Sequence, residues 1–284
     1  MTGGPATTAS PAAPPATPAP PALPSVIGHR GAAGCAPENT LAGLRRAKAL
    51  DCRWVEIDVR LSADREPILL HDNRLRRTTG GRGSAAQLPL AALRRLEAGR
   101  WFAPEFAGEP IPTLAEAVAL LASLELGANI ELKADPGAAE VTGEVVAGAL
   151  ARLWPPQLPA PLLSSFSPRA LTAVRQRAPQ FARGMLFRAV PRDWHERAET
   201  IGGSSIHADQ RRLTPAIVAE IREAGYCLLA YTVNQPGRAQ VLLNWGVTSV
   251  FSDVPHIILA ALGGGPIQTA ATGPAALWRQ GTVG

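Results

Sequence analysis

The chain has 284 residues, 46% of them hydrophobic and 18% charged, with a formal net charge of +5. These values exclude collagen, a coiled coil and a fully disordered chain, and no apolar run approaches the roughly 18 residues of a membrane span. Only Lys48 and Lys133 are lysines, so 26 of the 28 basic residues are Arg. Scattered pairs such as Arg45 with Arg46 and Arg94 with Arg95 describe a solvated basic surface, so neither a nucleic-acid partner nor stable membrane association is expected. Cys35, Cys52 and Cys227 form no paired spacing and read as reduced thiols. The N-terminus has neither a basic n-region nor an apolar h-region, which makes the cytoplasm the expected compartment. No feature marks an oligomeric state.

The first 24 residues hold eight Pro, seven Ala and four Thr and no charge. Such a stretch cannot bury enough surface to offset its ordering entropy, and residues 1–24 are expected as a disordered tail. From Ser25 to Leu262 short apolar, β-branched runs alternate with stretches of helical periodicity, the pattern of repeated strand–helix units on a parallel sheet. Eight strands are predicted, starting near Val26, Trp54, Asn129, Leu162, Ala182, Ser204, Cys227 and Ser249. Helices are predicted near 41–51, 113–126, 137–153, 168–178, 191–200, 214–224 and 236–245, with a last one after Val254. Eight units in about 240 residues have the size of a (β/α)8 barrel, an α/β fold. One connection, 72–112, is too long for a barrel loop and reads as a small inserted subdomain after the second strand. Its Trp101, Phe102 and Phe106 are expected to form a minor core, or else a wall over the site. A flexible tail is expected from residue 263 to 284.

Side chains alternate along a strand, so in the run from Trp54 to Val59 the carboxylates of Glu56 and Asp58 share one face, opposite Val55, Ile57 and Val59. Asn129, Glu131 and Lys133 alternate with Ile130 and Leu132 in the same way. Inside a barrel three acids therefore converge. Uncompensated anions in a low-dielectric interior are costly, and an all-oxygen ligand set suits one hard divalent cation, Mg²⁺ or Ca²⁺. A buried ionic network with Arg or Lys133 is the competing explanation. His29 closes the strand from Val26 and His71 closes the apolar run from Pro67. Imidazoles titrate near neutrality, so two of them beside a reacting phosphorus can act in turn as base and acid. His207 ends a third strand and is expected either to line the substrate pocket or to sit at its rim.

Taken together, His29-Arg30-Gly31, Ala36-Pro37-Glu38-Asn39-Thr40, Glu56-x-Asp58, His71-Asp72 and Glu131-x-Lys133 resemble the signature of the glycerophosphodiester phosphodiesterases. Pro161 to Phe166, Ser205 to His207, Tyr231 to Asn234 and Trp245 to Val247 extend the resemblance over nearly all of residues 25–260, toward the bacterial cytoplasmic branch. The resemblance implies that Glu56, Asp58 and Glu131 bind the metal, that His29 and His71 are the acid and base, with either histidine fitting either role, that Arg30 and Lys133 hold phosphate oxygens, and that Glu38 positions the site. The implied reaction is hydrolysis of a glycerophosphodiester to glycerol 3-phosphate and an alcohol. A phosphodiesterase acting on lysolipids and a non-catalytic phosphate-binding barrel are the alternatives.

Overall fold

The computed structural model of the chain describes residues 17–263. The expected tails lie mostly outside these residues: 1–16 and 264–284 are not described. Nine strands form one sheet: β1 (Val26–Gly28), β2 (Trp54–Leu61), β3 (Pro67–Leu69), β4 (Gly127–Leu132), β5 (Leu162–Ser165), β6 (Ala182–Phe187), β7 (Ser205–Asp209), β8 (Cys227–Tyr231) and β9 (Ser249–Ser252). Eight of them pair in parallel, and β1 pairs with both β9 and β2, which closes the barrel. The ninth, β3, folds back antiparallel on β2 with Val59 opposite Leu69.

Helices α1 (Leu41–Ala49), α2 (Leu90–Leu93), α3 (Leu114–Leu124), α4 (Ala139–Leu153), α5 (Pro168–Arg177), α6 (Trp194–Thr200), α7 (Pro215–Glu223), α8 (Pro236–Trp245) and α9 (Pro255–Gly263) complete the fold. Their starts follow local chemistry. Thr113 and Glu116 form a reciprocal capping box at α3, and Thr40, Ser167 and Thr214 accept hydrogen bonds from backbone N–H groups in the first turns of α1, α5 and α7. Pro occupies the first turn of α5, α7 and α8, where its missing N–H leaves no bond unmade.

The period-2 pattern sorts each strand between two cores. Val55, Ile57, Val59, Ala128, Ile130 and Leu132 face the helices, packing with Leu44, Val118, Leu121 and Val146. Ile27, Trp54, Leu162, Ala182, Leu229 and Phe251 form an inner layer. The stretch before β1 does not hang free of the barrel as the tail expectation has it. Leu23 packs on the inner layer, and the Pro24 carbonyl accepts from Ser249 Oγ at 2.7 Å. At the other end α9 continues through Gly263, one residue into the expected tail. Among the described residues, no helix is long and apolar enough to cross a membrane.

Residues 72–112 contain only α2 and three 3-10 turns, Leu75–Arg77, Ala85–Gln87 and Pro104–Phe106. Their core is aliphatic: Ile68, Leu70, Leu75, Ala85, Leu93, Ala98 and Ile111. Contrary to expectation, Trp101, Phe102 and Phe106 are not part of this core. Trp101 is 41% exposed, Phe102 and Phe106 are half-buried, and the three stack edge-on at 5.8 and 5.6 Å on the outer surface. The branched side chains of β3 and the turns already fill the interior, so the aromatics have only surface left to cover.

Candidate active site

The β1–α1 connection carries the first histidine. Gly31 has φ +88°, and a Cβ there would stand 2.8 Å from the backbone of Gly43, so only glycine lets the chain turn back onto α1. Arg30 and Asn39 also take positive φ, 51° and 56°. This turn aims the Arg30 N–H at Glu56 Oε2 (2.9 Å) and brings Asn39 to Asp58, where Nδ2 donates to Oδ2 at 2.7 Å and Oδ1 accepts from the Asp58 N–H at 2.9 Å. The β2–β3 hairpin carries the second histidine. Leu70 N–H donates to the Asp58 carbonyl, and His71 follows at the same end of the barrel.

Glu56, Asp58 and Glu131 are all buried, and one oxygen from each lies within 4.8 Å of the others. Lys133 Nζ approaches Asp58 Oδ1 at 3.2 Å and Glu131 Oε1 at 2.5 Å, and Arg30 Nε lies 3.4 Å from Asp58 Oδ2. An ionic network is thus present, but two cations face three carboxylates, so full ionisation of the three would leave one negative charge over. Glu56 Oε1 is buried with no partner. Burial, and then repulsion by Asp58 and Glu131, raises the Glu56 pKa well above the carboxylate range; burial likewise pushes Glu131 up to about 7, although Lys133 opposes it. Asp58 goes the other way, because Lys133 and Arg30 outweigh its burial. A cluster whose members resist ionising together, with an orphaned carboxylate oxygen turned into it, fits a divalent cation.

Both histidines are oriented by carboxylates. His29 Nδ1 is 2.7 Å from Asp253 Oδ1, and Asp253 in turn accepts from Asn234 Nδ2 at 2.7 Å. His71 Nδ1 is 2.6 Å from Asp72 Oδ1. An ionised carboxylate only accepts, so each Nδ1 carries the proton and each Nε2 is left free; that of His29 lies 3.8 Å from Glu56 Oε2. Burial lowers the His71 pKa, against the opposing hydrogen bond to Asp72. Glu38 joins the two halves: it accepts from Arg30 Nη1 at 2.8 Å and from both terminal nitrogens of Arg77 at 2.7 Å, while Arg77 Nε donates to Asp72 at 2.6 Å. Thr40 caps α1, its Oγ1 accepting from the Gly43 N–H at 3.0 Å.

These groups meet in a cavity of about 600 Å³ at the C-terminal end of the strands. His29, Arg30, Glu56, His71, Glu131, Lys133 and His207 line it, whereas Asp58 and Glu38 stand behind the lining. His207 is fully buried, which rules out the rim position. It packs over Gly184, where a Cβ would come within 2.4 Å of Nε2; Nε2 lies 3.1 Å from Ser205 Oγ and Nδ1 has no partner. Burial drives its pKa down to about 3, so the ring is neutral. Trp101, Phe102 and Phe106 are absent from the lining, whose aromatic wall is Phe166, Tyr231 and Phe251.

Sequence reasoning missed three kinds of residue. Asp253 follows a strand end, the same signal that singled out His29. Arg60 shares the inward face of Glu56 and Asp58 and bonds the His71 and Lys133 carbonyls and Asp135. Arg77 carries no local signal, because it reaches Glu38 from a polar turn 39 residues away.

A closed parallel barrel with carboxylates, a Lys–Arg pair and two carboxylate-held histidines at the C-terminal strand ends is the setting of an enzyme that handles an anionic substrate. The glycerophosphoryl diester phosphodiesterase family matches residues 29–257. YhdW of Bacillus subtilis is 32% identical over 238 residues, spanning 82% of this chain and 96% of that relative. The glycerophosphodiester phosphodiesterase of Caldanaerobacter subterraneus subsp. tengcongensis is 30% identical over 239 residues, again 82% and 96%. A solved Oleispira antarctica phosphodiesterase, in complex with the product sn-glycerol-3-phosphate, superposes with a TM-score of 0.83 at 42% identity, over 85% of this chain and 97% of that one. The chain belongs to the glycerophosphoryl diester phosphodiesterase family, and it is an enzyme of that family.

Proposed function

We propose that the enzyme hydrolyses small glycerophosphodiesters to glycerol 3-phosphate and the free alcohol, with one divalent cation, Mg²⁺ or Ca²⁺, held by Glu56, Asp58 and Glu131. The observation that carries this reading is the buried carboxylate cluster, with three acids to two cations and an orphaned Glu56 oxygen, flanked by two carboxylate-held histidines in one cavity. A cation held there by Glu56, Asp58 and Glu131 would supply charge neutralisation at the phosphate and would lower the pKa of a hydroxyl it binds. Arg30 and Lys133 hold phosphate oxygens from the two sides of the cluster. Each is fixed by the acids it touches, so little reorganisation is needed as charge develops on the phosphoryl oxygens.

His29 takes the proton of the attacking oxygen, either the substrate's own 2-hydroxyl or a water, at Nε2. Asp253 holds the ring in the right tautomer and stabilises the imidazolium that results. His71 serves as the acid in its doubly protonated form: with Nδ1–H held by Asp72, which stabilises the imidazolium, it gives the Nε2 proton to the leaving alcohol and returns to the neutral ring. Glu38 and Arg77 keep the two histidine-bearing loops in register. His207 gives the substrate a neutral wall. Phosphodiester hydrolysis demands a barrier reduction on the order of 20 kcal/mol, more than a pair of acid–base groups contributing about 10²–10⁴-fold each can provide. The cation and the Arg30–Lys133 clamp must supply much of the rest.

A small substrate is favoured over a lysolipid, because the aromatic residues that would form an apolar lip lie away from the cavity. Release of glycerol 3-phosphate from glycerophosphocholine, measured with Mg²⁺, Ca²⁺ or EDTA, tests the reading. Metal-dependent release that is lost in Glu131→Gln and His71→Ala supports it. A folded, metal-loaded enzyme that is inert toward glycerophosphodiesters but cleaves lysolipids would overturn it.

A further inference from the structure

The acid–base and ion-binding groups of the reaction proposed above stand on the β1, β2 and β4 side of the barrel mouth, and the arginines on the rim beyond β6 and β7 have no part in it. Strands β6 and β7 run in register with Phe187 beside Ala208, so Arg188 leaves β6 level with Asp209. Arg211 and Arg212 follow in the 3-10 turn Gln210–Arg212. With Ala189, these residues line a second cavity of about 610 Å³, and Arg188 lines both this cavity and the catalytic one. Arg211 is spent on Asp209: Nη2 donates to Oδ2 at 2.7 Å and Nε to Oδ1 at 3.0 Å. That pairing also consumes the single carboxylate of the lining. Arg188 and Arg212 make no hydrogen bond or ion pair with the described residues, so the concavity presents two uncompensated guanidinium groups.

We propose that this second cavity is a subsite for the leaving alcohol, and that it selects glycerophosphodiesters whose alcohol bears a further anionic group such as a phosphate. The inference rests on the reaction proposed above, with the glycerol end held on the carboxylate side and the alcohol turned across the barrel toward β6 and β7. Guanidinium forks match phosphate oxygens in geometry as well as charge. A cationic head group finds the reverse. The Phe166–Tyr231 pair offers it ring faces, but Lys133 already stands 5.8 Å over Phe166 and Arg188 lines the same cavity. One water is consumed, the bond from phosphorus to the alcohol oxygen breaks, and the products are glycerol 3-phosphate and the alcohol with its own phosphate intact.

The test compares kcat/KM for glycerophosphoinositol 4-phosphate, glycerophosphoinositol and glycerophosphocholine, read as glycerol 3-phosphate release at low ionic strength. The wild type is expected to favour the phosphorylated inositol ester over the unphosphorylated one by about tenfold, with the advantage shrinking in high salt. Arg188→Gln and Arg212→Gln should each cut that ratio by about three- to fivefold, mainly through KM, and Arg188→Glu should move the preference toward the choline ester. Both arginines are exposed, so the variants are expected to fold. A wild-type ratio near one, or a ratio unchanged in the Arg188→Gln/Arg212→Gln double variant, would overturn the inference while leaving the reaction standing. Inactivity toward all three esters would instead overturn the reaction itself, and this subsite with it.

Discussion

The two sides of the barrel mouth are built on the same strand alternation and carry opposite contents. On β1, β2 and β4 the inward positions toward the C-terminal ends are His29, Glu56, Asp58, Arg60, Asn129, Glu131 and Lys133. On β5 to β8 the cavity wall is Phe166, Leu186, His207 and Tyr231, all uncharged, with Arg188 at its edge. The charged side is held together by mutual neutralisation that would fall short by one negative charge with all three acids ionised. The neutral side is held by packing, as in the close seat of His207 on Gly184. In the proposed reaction the chemistry is thus confined to one sector, and the rest of the mouth is left to shape what enters.

The largest effects should come from breaking the charged side. Glu131→Gln or Asp58→Asn is expected to lower turnover by on the order of 10³-fold or more, as is chelation with EDTA. Glu56→Gln makes a sharper case because activity and stability should separate. A carboxyl whose pKa is raised on folding destabilises the folded state at neutral pH, so removing its charge should raise the melting temperature in EDTA while turnover collapses. A lower melting temperature for Glu56→Gln in EDTA would contradict the cation reading.

His29→Ala and His71→Ala are each expected to lose about 10²–10⁴-fold in kcat. The groups behind them should matter less: Asp253→Asn and Asp72→Asn by about 10–100-fold, and Arg77→Gln by about tenfold, with the pH profile of kcat displaced in the carboxylate variants. An Asp253→Asn enzyme with wild-type kcat and pH profile would remove Asp253 from the machinery.

Turnover is expected to move least on the neutral side, where the effect is thermodynamic. Burial lowers the His207 pKa to about 3, so below about pH 6.5 the unfolded chain takes up a proton that the folded one refuses. Stability contributed by the neutral ring is intact above pH 6.5 and is lost as pH falls toward 3, at about 1.4 kcal/mol per unit. His207→Leu should therefore close on the wild type in urea melts as pH falls from 6.5 to 4, while losing only modestly at pH 8. Parallel stability–pH curves for the two proteins would show that the ring is hydrated.

Much of the site was legible without coordinates. Period-2 alternation in β2 and β4 placed Glu56, Asp58, Glu131 and Lys133 on one inner face, and His29 and His71 stood out because each ends an apolar run. These are local signals. Arg77 had none, because its bonds to Glu38 and Asp72 depend on how a polar turn folds over the β1–α1 loop. The aromatic residues of 72–112 misled, because hydrophobicity alone does not decide which apolar groups reach the interior when Ile68, Leu75 and Ile111 already fill it.

Strand alternation, helix caps and ordered motifs are properties of short segments, so the sequence by itself determined the barrel, its family and the residues that face inward. Tertiary structure alone decided which of them meet. The β2–β3 hairpin sets His71 at the end of β2, the positive φ of Arg30 and Gly31 turns an N–H onto Glu56, and ring closure between β1 and β9 delivers Asp253 to His29 from 224 residues away. Such contacts depend on register and closure, which no window of sequence contains.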